Sequence, residues 1–218
     1  MPAANYTFGV NINSKMNLIK TTKNRSFLIS VLFSVLFITL LAGCKSKDAY
    51  KKEIEQKGMS YSVESFLNAA AAGYKETVAL FLKAGTDINT RGAQGETALM
   101  LAAVNHNIDL LKFLVRNSSD VNARNNDGYT ALMFVASQRD VEVAEFLIAK
   151  GADMNTQNNN GETTLMLSVL HSHIEMTKIL IEKGADVHIK DNKGQKAIDY
   201  AFLNKQMKEI LRKAMAKK

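Results

Sequence analysis

Cysteine, proline and tryptophan are almost absent from this 218-residue chain. A single cysteine, Cys44, excludes an intramolecular disulfide and any metal cluster built on several thiolates. The one proline, Pro2, precedes every periodic segment, so no proline interrupts a later helix. Nucleophile elbows, phosphate-binding loops and metal-ligand spacings are also missing, which argues against an enzyme and predicts neither a metal nor a cofactor.

Acidic residues are missing from the first 43 positions, so the N-terminal segment carries only positive charge. The chain has 28 Lys and Arg against 21 Asp and Glu, a formal charge of +7, and a second basic cluster lies between Lys190 and Lys218. That cluster could attract acidic lipid headgroups or an acidic partner. The alternative, which we favour, is that it forms the solvated face of a terminal unit. The basic balance does not by itself indicate nucleic acid.

One nine-residue string recurs along the chain at a fixed spacing of 33 residues. It begins at Gly95, Gly128, Gly161 and, in a degraded form, Gly194, and its first copy is Gly-Glu-Thr-Ala-Leu-Met-Leu-Ala-Ala. A second string with Asp at its third position keeps the same period from residues 85, 118, 151 and 184. Two independent signatures with one period predict a solenoid.

This period and pattern resemble the ankyrin repeat. The resemblance implies an all-α solenoid of about five 33-residue helix-turn-helix units with hairpin loops. We predict the units over residues 60–89, 90–122, 123–155, 156–188 and 189–218. In the second unit, Thr97 is placed to cap the inner helix, and Leu99, Ala102 and Ala103 form its buried stripe.

Two features depart from the family pattern. Ser118 stands where glycine ends the other outer helices in the left-handed conformation, at a cost of about 1 kcal/mol. The family's Thr-Pro-Leu-His becomes Thr-Ala-Leu-Met or Thr-Thr-Leu-Met, so the histidine that ties neighbouring loops is missing. Lower stability than that of a regular array is therefore expected.

The N-terminal segment is typical of a secretory signal. Residues 20–25 are basic, and residues 27–41 form an apolar run shorter than the ~20 residues that span a bilayer. The run ends in Leu41-Ala-Gly-Cys44, which resembles the bacterial lipobox and implies cleavage after Gly43 and lipid attachment at Cys44. An uncleaved membrane anchor is the alternative. Lys45 follows, where that family uses aspartate for inner-membrane retention, so an outer-membrane, periplasm-facing lipoprotein is implied.

These signals predict three segments. Residues 1–43 form the signal peptide, with Met16 as an alternative translation start. Residues 44–59 carry the lipidated cysteine and a charged, flexible tether, and residues 60–218 form the array. Met59 is either the start of a minor cytosolic form that keeps the whole array or an ordinary tether residue, which we favour.

His171 and His173 are the best candidates for chemistry, since they are only two residues apart. They fit either a metal or catalytic pair or local structural hydrogen bonding, and the second is favoured because His173 lies where ankyrin repeats often carry a structural histidine.

Ankyrin proteins bind macromolecules through hairpin tips and the exposed side of the inner helices, because successive units line one surface. Mapped onto this chain, the tip residues are Arg91, Gln94, Glu96, Arg124, Asn126, Asp127, Tyr129, Gln157, Asn159, Asn160, Glu162, Lys190 and Lys193. The inner helices contribute Asn105, Gln138 and His171. Tyr129, Arg91 and Arg124 are the predicted hot spots, because aromatic and arginine side chains dominate interface energies.

The predicted function is that of a non-enzymatic, lipid-anchored protein-binding module, monomeric when unbound. Lipoproteins that resemble this arrangement occur as immunity partners of secreted lipase effectors, which implies capture of a periplasm-delivered toxin such as a phospholipase. A general periplasmic scaffold for an envelope or oxidative-defence enzyme is the alternative. A small hydrolase or metalloprotein is disfavoured because no catalytic set is found, and no nucleic-acid partner is expected for an exported protein.

Overall fold

The computed structural model describes residues 45–216, so the predicted signal peptide, the start at Met16 and the lipidation site at Cys44 lie outside the described residues. The residues from Ser46 onwards belong to one compact unit. Within the described range the helices are α1 (Lys47–Gln56), α2 (Val63–Ala71), α3 (Lys75–Ala84), α4 (Ala98–Val104), α5 (Ile108–Arg116), α6 (Ala131–Ser137), α7 (Val141–Ala149), α8 (Thr164–Leu170), α9 (Ile174–Glu182), a 3-10 helix (Ala197–Ala201) and α10 (Lys205–Ala216). None of these helices is long and apolar enough to cross a membrane.

Helices α2 to α9 alternate between an inner and an outer layer. The inner helices α2, α4, α6 and α8 pack on one another in chain order, and each is followed by an outer helix that packs against it. The alanines Ala98, Ala102 and Ala103 of α4 are at most 2% exposed, and such small side chains let neighbouring inner helices approach closely. The predicted all-α ankyrin solenoid is confirmed.

A threonine caps each of the inner helices α4, α6 and α8. The side-chain oxygens of Thr97, Thr130 and Thr163 accept hydrogen bonds from the backbone N–H three residues later, at 3.3–3.4 Å. A cap of this kind contributes about 1 kcal/mol to helix stability. The cap predicted at Thr97 is confirmed, and it recurs in the next two units.

The turn after α5 contains the left-handed serine that the repeat pattern predicts. Ser118 has φ of +69°, while the equivalent Gly85, Gly151 and Gly184 have φ of +103°, +89° and +98°. The backbone therefore keeps the left-handed conformation even where serine replaces glycine. Because serine has a Cβ, this conformation is strained at Ser118.

The N-terminal stretch before the first unit corrects one prediction. Lys47–Gln56 forms a helix, α1, which begins at the Ser46 cap and packs on α3. Ile54 is completely buried in this contact region, and Lys83 lies 5.7 Å from the centre of the Tyr50 ring. The flexible tether predicted over residues 44–59 is therefore wrong for Lys47–Gln56. Charged residues dominate its composition, but Tyr50 and Ile54, four residues apart, give it one apolar face.

The fifth unit is less regular than the others. Its inner element is the 3-10 helix Ala197–Ala201 rather than an α-helix, and Lys196 replaces the capping threonine of the earlier units. The outer helix α10 buries Met207 and Leu211 against the stack while its other side stays polar. The unit thus closes the apolar end of the array, as a terminal repeat must.

Candidate protein-binding surface

Equivalent residues of successive units lie side by side, because the inner helices stack in chain order. We use the name inner face for the exposed side of these helices together with the adjoining hairpin tips. It comprises the exposed positions of α2, α4, α6, α8 and the 3-10 helix with its following turn, and the tips at residues 91–96, 124–129, 157–162 and 190–195. All sixteen side chains predicted to contact a partner belong to this inner face or to its edge.

Exposed apolar side chains recur at one repeat position of the inner face. Val104 and Leu170, at the ends of α4 and α8, are 41% and 42% exposed, and Leu203 after the 3-10 helix is 95% exposed. These residues are spaced by multiples of 33, so the stack lines them up. Exposed apolar groups aligned in this way mark an interaction surface rather than a core.

An aromatic pair lies at the centre of the inner face. The rings of Tyr129 and Phe134 stack with centroids 5.4 Å apart and an angle of 22° between their planes, and both are partly exposed. Burial, and then the charge of Glu162, raise the pKa of Tyr129, so its hydroxyl stays protonated and can donate a hydrogen bond. A stacked, half-buried aromatic loses little entropy on binding, as interface hot spots require.

Two of the three predicted hot spots, Arg91 and Arg124, also have a structural role. Arg91 donates a hydrogen bond to the carbonyl oxygen of Arg124, and Arg124 donates to the carbonyl oxygen of Gln157 at 2.9 Å. Gln157 continues the series by donating to the carbonyl oxygen of Lys190 at 2.9 Å. Each side chain spans one repeat and ties its hairpin loop to the next. Arg91, Arg124 and Gln157 therefore hold the inner face in register.

Asparagines form a second ladder between the hairpin tips. The side-chain amides of Asn126, Asn159 and Asn192 donate to the carbonyl oxygens of Ala93, Asn126 and Asn159 at 3.1, 2.8 and 2.8 Å. Their backbone N–H groups also bond to the preceding tip. These bonds do the work of the histidine missing from the family pattern, so Asn126 and Asn159 are scaffold residues as well as surface residues.

A third ladder joins the turns that follow the outer helices. The side-chain oxygens of Asn89, Asn122 and Asn155 accept hydrogen bonds from the backbone N–H groups 31 residues later, at 2.8 to 2.9 Å. These asparagines end the second recurring string of the sequence. The asparagine that recurs in this string is the sequence signal for the ladder.

The other predicted contact residues differ in how free their side chains are. Gln94, Asp127, Lys190 and Lys193 project from the tips as exposed residues. Three others bond locally: Asn105 donates to the Leu101 carbonyl, Asn160 donates to the Glu162 carboxylate, and Glu96 accepts from the Gln94 N–H. Gln138 donates to the Val104 carbonyl of the preceding unit.

A polar cluster ends the inner face beside the 3-10 helix. The Tyr200 hydroxyl donates to Asp191 at 2.6 Å and lies 3.4 Å from Glu162. Burial and the bond to Asp191 raise the pKa of Tyr200 far above its usual value. Burial raises the pKa of Asp191, but hydrogen bonds from Tyr200, Gln195 and Lys193 more than offset this and leave it lowered. The cluster fixes the last hairpin against the stack.

The two neighbouring histidines have different environments. The Nδ1 of His173 donates to the Ala136 carbonyl oxygen at 2.9 Å, which links the third and fourth units. His171 is exposed, and its ring lies 5.7 Å from that of His173. No group of three or more metal-binding side chains occurs among residues 45–216. The geometry thus supports the structural interpretation of His173.

Phe134 is the main residue of the inner face that sequence reasoning missed. It looks like one more core residue of an apolar helix. It does not, however, belong to the stripe equivalent to Leu99, Ala102 and Ala103, but aligns with Leu101 on the opposite side. That offset from the buried stripe was the available signal.

Comparison with known proteins agrees with this architecture. A family model described as ankyrin repeats in three copies matches residues 66–158 and 135–217, which together cover most of the chain. A comparison with curated proteins gave no significant match. Ankyrin repeats are typically non-enzymatic modules for interaction with other proteins, and the inner face has the exposed apolar groups that such a module needs. The stacked units, their capped inner helices and the family match show that this chain belongs to the ankyrin-repeat family.

Proposed function

We propose that the chain is a lipid-anchored binding module of the bacterial envelope, and that its inner face captures a secreted protein toxin. The observation that carries the binding surface is the aromatic pair Tyr129–Phe134 set among the aligned, exposed Val104, Leu170 and Leu203. A surface of this length, crossing several units, suits a macromolecule better than a small molecule, which needs an enclosed pocket.

The hydrogen-bond ladders support binding without rearrangement. Side chains such as Arg124 and Asn159 fix each hairpin tip to its neighbour, so the inner face is held in one shape before a partner arrives. A preorganised surface loses less conformational entropy on association, and more of the contact energy appears as affinity.

The proposed partner is a toxin delivered to the periplasm, with a phospholipase effector as the first candidate. The lipobox-like sequence ending at Cys44 and the array that follows it support this assignment by resemblance to immunity lipoproteins. Lipid at Cys44, with Lys45 after it, would hold the protein at the outer membrane facing the periplasm. Inhibition is steric in this proposal: the bound array covers the toxin surface that must reach lipid.

A protection assay tests the proposal. Cells export a phospholipase effector to the periplasm, together with the full chain or a variant. The wild-type chain is expected to restore survival, and Tyr129→Ala/Phe134→Ala is expected to lose protection at equal protein levels. Tyr74→Ala is the matched control, because Tyr74 is a 60% exposed aromatic at the turn between α2 and α3, away from the inner face.

The outcomes separate the parts of the proposal. Survival that needs the chain but not Tyr129 and Phe134 contradicts the proposed surface. Failure of the wild-type chain to protect contradicts the immunity role against that effector. A Cys44→Ser chain that protects fully while remaining soluble contradicts the need for the lipid anchor.

A further inference from the structure

The inner face continues beyond the aromatic pair into a recess at the first repeat. The recess has a volume of about 480 Å³ and lies between α2 and the first hairpin tip. Its lining includes the apolar Val63 and Leu67 and the polar Glu64, Asn68, Arg91 and Glu96. Val63 is 47% exposed, so this part of the apolar lining is open to solvent.

The two carboxylates of this recess lack a cationic partner. The ion pairs found within 4.0 Å among residues 45–216 lie in α1, on the outer helices and α10, or at the turn between the two layers. Glu64 and Glu96 are in none of them. Glu96 accepts one hydrogen bond, from the Gln94 N–H at 2.8 Å, through one of its two oxygens.

Arg91 also lines the recess but forms no ion pair within 4.0 Å with either carboxylate. The Arg91 guanidinium donates instead to the Arg124 carbonyl oxygen of the next hairpin. Because this bond belongs to a ladder repeated in the following unit, the scaffold engages the Arg91 guanidinium at the edge of the recess. With two carboxylates and one guanidinium in its lining, the recess carries a net negative charge beside apolar side chains, in a chain of formal charge +7.

We propose that this recess receives a lysine or arginine side chain of the partner protein. Such a side chain has an apolar stem that suits Val63 and Leu67, and a cationic end that suits Glu64 and Glu96. The inference rests on the proposed protein-binding function and specifies one feature of the partner: a basic residue next to an apolar segment that covers Tyr129 and Phe134.

Repeat geometry supports a single continuous contact. Val63 and Glu96 occupy the same repeat position as Tyr129, and Asn68 occupies that of Leu101 and Phe134. Because equivalent positions align along the stack, the recess and the aromatic pair lie on the same line of the inner face. One extended partner segment can therefore fill both.

The inference is tested by selecting a random peptide library, displayed on phage, for binding to the full chain immobilised in mild detergent. Peptides selected by the wild-type chain are expected to combine apolar residues with Lys or Arg. Glu64→Gln/Glu96→Gln is expected to weaken an enriched peptide by about 5- to 20-fold, since two charge pairs are lost. Glutamine retains an oxygen that can accept the Gln94 N–H, so the fold is preserved. Glu182→Gln, the same charge change on an outer helix, is expected to leave affinity unchanged.

Two results would overturn the inference, and they differ in what else they overturn. Enriched peptides that need Tyr129 and Phe134 but bind Glu64→Gln/Glu96→Gln normally refute the basic-residue site and leave the proposed function intact. Enriched peptides that bind Tyr129→Ala/Phe134→Ala normally refute the inner face as the binding surface, and the inference with it.

Discussion

At the scale of single residues, the left-handed turn after α5 gives a direct test of backbone strain. We expect Ser118→Gly to stabilise the protein by about 0.5–1 kcal/mol, because Ser118 has φ of +69° and glycine adopts it without steric cost. The reverse exchange Gly184→Ser is the matched control. A Cβ at Gly184 meets no atom within 4 Å, so only backbone strain changes, and a loss of similar size is expected. Urea unfolding midpoints measure both, and a destabilised Ser118→Gly would contradict the account.

His173 makes stability depend on pH in a predictable direction. Burial is the largest effect and lowers the pKa of His173. The hydrogen bond to the Ala136 carbonyl raises this pKa, and the charges of Arg139 and His171 lower it further. The folded-state pKa therefore lies below the unfolded value of about 6.5, and the unfolded chain binds more protons. The contribution of neutral His173 to the free energy of unfolding is complete above about pH 7.5 and decreases as the pH falls through 6.5.

His173→Asn is expected to reduce the decrease in the free energy of unfolding between pH 7.5 and pH 5.5. Asparagine is a sound replacement because Asn107, at the equivalent position, donates to the Ala71 carbonyl at 2.9 Å. Guanidinium unfolding at the two pH values, with the exposed His188→Asn as control, measures the difference. An unchanged difference in His173→Asn would assign the pH dependence to other groups.

At the scale of elements, α1 is a structural part of the array. We expect Ile54→Ala to destabilise the protein by about 2–5 kcal/mol, because Ile54 is completely buried and its removal leaves a cavity at the contact with α3. Lys52→Ala, on the exposed side of the same helix, is expected to change stability by less than about 0.5 kcal/mol. Thermal unfolding followed by circular dichroism compares them. Equal effects would mean that α1 does not cap the stack.

The same helix affects the hypothesis of a second start at Met59. A product that begins there lacks α1 and leaves the covered side of α3 exposed to water. It keeps the helix pairs α2–α3 to α8–α9 but not the cap that precedes them, so it is expected to be less stable than the longer chain.

The sequence predicts those elements that leave a repeated signal and misses those that do not. The capped inner helices were predictable because Thr97, Thr130 and Thr163 repeat at one spacing. Helix α1 was not, because its few apolar residues stand among charges and no repeat marks them. The role of Arg91 and Arg124 was also hidden, since a bond to a carbonyl oxygen 33 residues later depends on stacking that composition does not show.

At the scale of the whole molecule, stacking of the units brings a few exposed apolar side chains from each unit together on one surface. No single unit has more than a few exposed apolar groups, but the fixed 33-residue offset aligns Val104, Leu170 and Leu203 on one side. Phe134, at the repeat position of Leu101, lies three residues before their position on its own inner helix. The ion pairs on the outer helices, such as Lys112–Glu142 at 2.6 Å, leave the outer side polar and balanced. This asymmetry between the two sides supports the proposed binding at the inner face.

Hydroxyl-radical footprinting of the full chain, with and without the phospholipase effector, tests this claim most directly. The account predicts that oxidation of Tyr129, Phe134, Leu170 and Leu203 decreases in the complex while that of the exposed Tyr74 does not change. Protection of Tyr74 and the outer helices, with Tyr129 and Phe134 oxidised as in the free protein, would contradict it.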